Sequence, residues 1–598
     1  MAVARVYPHK RLPRRFSFFD YSIPDGMVVR RGSAVRIPWR GGFCDGFVQE
    51  VVMETDIEKI RPIEAVHPFF LSVEEIALME RIAKETVQSV ASVLHALIPS
   101  TPKRGSQSSR AVVTAGHPLT MRPAEAEELR LMKAQAQYVA ACLLKDRKAI
   151  MLLLVPTVRE ADLLQGTLKA FHPLVVSGAM TKPHRFSAWS RWRKEGRLLI
   201  GTHTACAYLP SRVTDIVLVD VGNHDHKQTD QNPRFDARRV ASWFRSLRPI
   251  RLHRLDTIPS HRFLVPTATP VTLLSSRLPP PRIISLTRSF TASPSPFITP
   301  ELMEGLNETF ENGRKALLIL DRKGAYSLLR CDACGWTATC AEHSIPLQVV
   351  DGALKCARPV HAQAPPYISR EGGVGVVIRE PMLIPDACPK CKSPKLRGRG
   401  RGIATVATAL ARLYPDVRIH SYEKGKLIDD SADLWISTRH YLDAVWDPFL
   451  PPAFHLVALL CADLSLVREG SMLEAWRTVS QAQAVAADTS LMIQTFQPGI
   501  FGRLFEKPDV WIAEELRARK LLHQPPFLRH AEIRSRTSVS SQEATSILEG
   551  IRDHVPSAHI DVTASAIGVS LPPDAIDHFL AFASTLPDSL TVDSDVFS

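Results

Sequence analysis

Six of the ten cysteines in the chain fall between positions 331 and 391, at spacings that suit a metal site. Two residues separate Cys331 from Cys334, and two separate Cys388 from Cys391. A pair at that spacing can grip one tetrahedral ion, so the two pairs together supply four thiolates for Zn2+. Each pair lies in a turn-forming context, Cys-Asp-Ala-Cys-Gly and Cys-Pro-Lys-Cys-Lys. The competing reading, free or disulfide-bonded cysteines, is disfavoured in a reducing compartment.

A second ion is expected within the loop between the pairs. Cys340 and His343 form a third knuckle, and Cys356 with His361 would close it. The Cys356-x4-His361 spacing is looser, and a solvated loop histidine among Pro359, Pro365 and Pro366 is the plainer account of His361. About two Zn2+ per chain are expected on this reading.

The chain that must position these groups has 598 residues, too many for one core, so roughly three to five domains are expected. Its 45% hydrophobic and 23% charged residues are those of an ordinary globular protein. Met1–Arg15 is basic with no apolar core, and the longest apolar runs, Ile150–Val155 and Leu456–Ala462, have the length of buried strands. A cytoplasmic protein without membrane contact is the expectation. The net charge of +13 fits a polyanionic partner. Arg5, Lys10, Arg11, Arg14, Arg15, Arg30, Arg31, Arg36 and Arg40 crowd the first forty positions, and a second basic run spans 392–401.

Periodicity divides the chain. Residues 1–101 read as a small β-rich domain, with short strands at Val28–Val29, Ala34–Pro38 and Gly46–Val52 and a helix over 74–97. Residues 102–123 read as a linker rich in Ser, Thr, Pro and Gly. From 124 to 265, strands alternate with helices, which implies a parallel sheet that binds ligands at the carboxyl ends of its strands. A second α/β block begins in 266–330, is interrupted by the cysteine-rich insertion at 331–395 and resumes over 396–529. Residues 530–598 form a last small α+β domain.

Taken together, these motifs resemble the PriA replication-restart family. Phe19-Asp20-Tyr21, Pro24-Asp25-Gly26 and Val35-Arg36-Ile37-Pro38 are similar to its domain for 3′ ends of DNA. Leu154-Val155-Pro156, Ile200-Gly201-Thr202 and Val217-Leu218-Val219-Asp220 fall where its helicase motifs lie. Arg322-Lys323-Gly324-Ala325-Tyr326 precedes the first knuckle, and Glu514-Glu515-Leu516 leads to Pro525-Pro526-Phe527 as in the family. The resemblance implies two RecA-like helicase lobes with a zinc-knuckle insertion in the second. It also implies a monomer that binds forked and 3′-ended DNA and works with primosome and replicative-helicase loading proteins, close to the nucleoid. Asp20 would face the terminal 3′-hydroxyl with Lys59 as a second member, and Arg14, Arg15, Arg36 and Arg40 would contact phosphates.

The family's nucleotide motifs are degenerate in this chain. There is no Gly-x4-Gly-Lys-Ser/Thr, and Thr120–Ala134 contains no glycine. Without glycine amides to cradle phosphate and a lysine to reach its outer oxygens, nucleotide is poorly held. The acidic motif reads Asp220-Val221-Gly222-Asn223-His224, keeping one carboxylate, and the stretch Gln481–Asp488 supplies no arginine. Phosphoryl transfer depends on those charges, so neither bound ATP nor catalytic residues are expected. The alternatives are an active ATP-dependent 3′-to-5′ helicase and a zinc scaffold that recruits primosome proteins with little DNA contact.

Overall fold

The structure, a computed structural model, describes residues 2–100 except Ser17, 130–256 except Ala179, 272–273, 281–286 and 297–320. It also describes 328–595, apart from 340–346, 351–352, 356–366, 369–373, 376–381, 400–402, 423–428, 430, 440, 443–453, 464–471, 507, 523, 536–540 and 563–565.

The N-terminal region is a six-stranded sheet of β1 (Val3–Pro8), β2 (Phe19–Ser22), β3 (Ser33–Trp39), β4 (Gly42–Val52), β5 (Arg61–Pro62) and β6 (Ala65–Phe70). The strand order is β5-β2-β1-β4-β3-β6. A two-residue turn joins β3 to β4, with Arg40 at φ 45° and Gly41 at φ 80°. Two positive φ angles in succession match the twist of a tight hairpin. The expected strand at Val28–Val29 is not formed: these residues lie outside the sheet, and Val28 is 85% exposed. The expected helix over 74–97 divides into α1 (Val73–Thr86) and α2 (Val90–Leu97). α1 opens on a capping box of Ser72 and Glu75 and stops where Val87 turns left-handed, after which Ser89 caps α2.

The next sheet comprises β7 (Met151–Leu154), β8 (Leu174–Val176), β9 (Leu198–Gly201), β10 (Asp215–Val219), β11 (Arg251–Asp256) and β12 (Thr272–Leu273). All the pairings are parallel, in the order β12-β11-β10-β7-β9-β8. β7, β9 and β10 are buried along their whole length, as strands of a parallel sheet covered on both faces are, and only Asp215 at the start of β10 is charged. The helices α3 (Arg130–Lys145), α4 (Val158–Thr167), α5 (Lys182–Lys194) and α6 (Ala237–Leu247) belong to this lobe. α4 ends at Thr167, and a 3-10 turn over Lys169–Phe171 follows.

The second lobe repeats the plan. β13 (Arg282–Ser285) and β14 (Ala316–Ile319) precede the cysteine-rich insertion. That insertion carries β15 (Leu328–Cys331), β16 (Gln348–Val350), β17 (Ala353–Lys355), β18 (Tyr367–Ile368), β19 (Val374–Gly375), β20 (Met382–Leu383) and β21 (Leu396–Arg399). β22 (Ile419–Tyr422), β23 (Leu434–Ser437), β24 (Phe454–Leu459) and β25 (Ala486–Thr495) complete a parallel sheet in the order β13-β25-β24-β14-β23-β22. In both sheets the strand that follows the first long helix stands fourth in the order, so by position β7 corresponds to β14, β10 to β24 and β11 to β25. The lobe's helices are α7 (Pro300–Glu311), α8 (Ile403–Leu413), α9 (Met472–Val485), α10 (Pro498–Glu506) and α11 (Pro508–Leu521).

The C-terminal sheet, β27-β28-β26-β29, is antiparallel and consists of β26 (Arg529–Ser535), β27 (His559–Val562), β28 (Ala566–Leu571) and β29 (Leu590–Asp593). It packs with α12 (Ser541–His554) and α13 (Ile576–Thr585) around Phe579 and Ile551.

Side-chain contacts lock these parts at several places. Phe69 of the N-terminal sheet meets Trp189 of lobe 1 edge to face at 5.4 Å, beside the ion pair of Arg193 with the fully buried Glu75. Arg529 pairs with Glu85 at 2.7 Å, joining the C-terminal domain to α1. Arg477 of lobe 2 reaches across to lobe 1. No described helix is long and apolar enough to cross a membrane.

Candidate functional site

The outer cysteine pairs converge. Cys331 ends β15, whose pairing with β21 sets Cys331 opposite Leu396 and carries the chain back from the second knuckle. Both knuckles fold alike. The amide of Gly335 donates to the carbonyl of Cys331, and the amide of Lys392 donates to that of Cys388. The residue after each second cysteine is left-handed, Gly335 at φ 74° and Lys392 at φ 60°. Sγ of Cys331 lies 3.6 Å from that of Cys391, and Sγ of Cys334 lies 3.7 Å from that of Cys388. All four sulfurs lie within 4.8 Å of one another. Zinc–sulfur bonds of about 2.3 Å in a tetrahedron require sulfurs about 3.8 Å apart, so the donor set fits Zn2+. These cysteines could hold a metal ion. Cys340, His343, Cys356 and His361, the expected second site, lie outside the described residues.

Asp20 lies on β2 directly opposite Arg5 on β1. Its carboxylate is only 6% exposed, and Oδ2 accepts a hydrogen bond from the hydroxyl of Thr55. Oδ1 is buried without a hydrogen-bond partner, 3.8 Å from the Arg5 guanidinium. A buried carboxylate oxygen of this kind costs free energy unless a donor reaches it. Lys59 is exposed and lies two residues before Arg61, which pairs with Tyr21 of β2.

Of the arginines expected at phosphate, Arg14 is turned inward. Its guanidinium donates to the carbonyls of Leu590, Leu586 and Ala583, and its side chain is 7% exposed. Arg14 therefore bolts the N-terminal region to the C-terminal domain, at the end of α13 and the start of β29. Arg15, Arg36 and Arg40 are exposed, each over an aromatic ring: Phe16 at 5.1 Å, Phe43 at 5.2 Å and Trp39 at 6.0 Å. In the second basic run, Lys392 and Lys395 are exposed.

The acidic motif follows β10. Asp220 takes a left-handed backbone, φ 50°, which an aspartate tolerates better than most side chains. Its Oδ2 accepts from Asn223 Nδ2 at 2.8 Å and its Oδ1 from Arg477 Nη2 at 2.6 Å. Asp256, fully buried at the end of β11, accepts the Gly222 amide at 2.7 Å and Arg477 Nη2 at 3.2 Å. Arg238 braces the loop from behind. It is bidentate to Asp236 at 2.7 and 2.8 Å and donates to the carbonyls of Val221 and Asn223. Burial, with Asp220 nearby, raises the pKa of the Glu160 carboxyl. Sequence reading looked for cations over 481–488 and passed over Arg477, one turn earlier on the same helix. Asp256 was also missed, and only its place at a strand's carboxyl end could have marked it.

The Glu514–Phe527 run proves to be an α11 ending: Arg519 bonds Glu515 at 2.7 Å and the carbonyl of Pro525 at 3.0 Å. These side chains stabilise a turn.

The fold and these sites describe an α/β protein of several domains, with a cysteine centre inserted in its second parallel lobe. Residues 11–99 match the PriA family model for the 3′ DNA-binding domain. The replication restart protein PriA of Rickettsia conorii is 21% identical over 95% of this chain and 91% of its own length. That of Thermotoga maritima is 24% identical over 64% of this chain and 53% of its own length, and that of Synechocystis 24% over 57% and 43%. Among solved structures, the DUF1998 helicase MrfA bound to DNA is 13% identical, with a TM-score of 0.31 over 72% of this chain and 55% of that one. The chain is thus similar to the PriA replication restart proteins over nearly its whole length.

Proposed function

We propose that this chain is a replication-restart protein that binds forked or 3′-ended DNA, carries zinc and does not unwind DNA. The observation that carries the reading is the buried Oδ1 of Asp20, which lacks a donor inside a domain matched to a 3′ DNA-binding family. A terminal 3′-hydroxyl is a donor of suitable size. Arg15, Arg36 and Arg40 over their rings suit a strand whose phosphates meet guanidinium while its bases meet aromatic faces. Asp20 and Lys59 would line the end pocket, and Lys392 and Lys395 would add phosphate contacts beside the zinc centre.

The same reading takes residues 1–101 as the 3′-end domain, 124–265 and 396–529 as degenerate RecA-like lobes, 331–395 as the zinc module and 530–598 as a closing domain. The module would recruit primosome and helicase-loading proteins to a monomer in the cytoplasm, at the nucleoid. Loss of the motor is supported by the sequence, which lacks the phosphate loop, and by Asp220 and Asp256, which are spent on an arginine.

Two measurements on the full chain test the proposal. Anisotropy with a fork bearing a 3′-hydroxyl should give tight, salt-dependent binding, and no DNA-stimulated ATP hydrolysis should rise above background. Turnover that disappears in Asp220→Ala would establish the helicase alternative, and failure to bind the fork would leave only the scaffold reading.

A further inference from the structure

We infer that Arg477 clamps the two α/β lobes together permanently, holding them closed without nucleotide. In a two-lobed nucleotide-driven machine, bound nucleotide and its metal supply the charge that draws the lobes together. Here a side chain supplies it. Arg477 projects from α9 of lobe 2 and is 6% exposed. Its Nη2 bridges two carboxylates that end neighbouring strands of lobe 1, Asp220 after β10 at 2.6 Å and Asp256 on β11 at 3.2 Å. That end of a parallel sheet is where an α/β lobe meets its ligand.

The seat is shaped for the guanidinium. A Cβ at Gly222 would collide with the end of Arg477 and push the guanidinium out of this seat. The Gly222 amide fixes Asp256, Asn223 fixes Asp220, and the buried Arg238 holds the intervening carbonyls, so lobe 1 keeps both carboxylates aimed at lobe 2. A divalent cation on Asp220 would meet the guanidinium at close range, so metal and Arg477 exclude one another. The inference concerns lobe closure alone, and its failure would leave the 3′-end reading untouched.

The test is the interlobe distance in the full chain, read by energy transfer between dyes on unnatural residues at the exposed positions Leu144 of lobe 1 and Leu413 of lobe 2. Wild type should show one narrow distance, unchanged by magnesium with a non-hydrolysable ATP analogue. Arg477→Ala, which strands the buried Asp256 carboxylate and the partly buried one of Asp220, should lower the closed-to-open ratio about 100-fold. Gly222→Ala displaces the guanidinium without removing any charge and should open the lobes in the same direction, which keeps the test usable if Arg477→Ala misfolds. Arg477→Lys, a point charge without the fork, should fall between. A wild-type distance in both Arg477→Ala and Gly222→Ala would overturn the inference, as would a nucleotide-dependent shift in the wild type.

Discussion

The Lys227 ammonium in lobe 1 lies 2.6 Å from Oδ1 of Asp593, the last residue of β29, and both side chains are under a tenth exposed. Around this pair, Arg239 holds Asp595 at 2.6 Å and Ser594 bonds the carbonyl of Glu85. The chain's final described residues thus tie its C-terminal domain to lobe 1 and α1 at once. Breaking one side of a buried ion pair typically costs about 3–5 kcal/mol, whereas replacing both partners with apolar groups can be neutral. Asp593→Ala is therefore expected to lower the denaturant midpoint and expose the link before residue 529 to protease. The double substitution Lys227→Met with Asp593→Leu should recover most of the loss, and equal loss in both variants would refute a charge-based latch.

Metal is the second expectation. Protein purified without chelator should contain about two Zn2+, one of them on Cys331, Cys334, Cys388 and Cys391. Cys334→Ser should remove one ion and leave the other. Chelation should speed hydrogen exchange across β15 and β21 while β7, β10, β14 and β24 stay protected, because those strands are buried in cores that contain no cysteine ligand. Metal analysis near zero would end the zinc reading.

What could be read from the chain beforehand followed the range of the interaction. Cysteine knuckles repeat a local turn, so ligand spacing alone locates them. Strands such as β7 and β14 are apolar at every position because both faces are covered, and such runs stand out. Val28–Val29 has the composition of a strand, but pairing is a tertiary event and none is made. Arg14 and Arg477 show the harder limit. Their partners lie 576 and 257 residues away, and nothing local separates a buried, bonding arginine from one facing solvent. A basic run therefore reads as a nucleic-acid surface even where one of its members is a bolt between domains.

Acid should attack lobe 1 through Asp215. Burial pushes this carboxyl up, but hydrogen bonds from His253, Arg251 and Thr214 outweigh it and bring the pKa down to about 2. A carboxylate with a depressed folded pKa contributes stability above its unfolded value, near 3.9, and loses it as pH falls toward 2. Wild-type stability should therefore drop between about pH 4 and pH 2. Asp215→Asn should be weaker at neutral pH and flatter across that window, as measured by urea unfolding at each pH. Parallel curves for the two proteins would show that the carboxylate contributes nothing there.

The end pocket gives the last prediction. If Asp20 Oδ1 receives the terminal hydroxyl, a 3′-phosphate brings an anion against a buried carboxylate, and even the nearby Arg5 is already bonded to Glu50 at 2.7 Å. The full chain should then bind a 3′-hydroxyl fork about tenfold more tightly than its 3′-phosphate counterpart, a difference of about 1.4 kcal/mol. Asp20→Ala should erase that preference and leave the salt dependence intact, because phosphate contacts are made elsewhere. Arg36→Ala should do the converse, keeping the preference for the hydroxyl while reducing the salt slope by about one ion. The two variants separate end recognition from backbone attraction. Equal affinity of wild type for both ends, measured by anisotropy at fixed ionic strength, would remove Asp20 from the site.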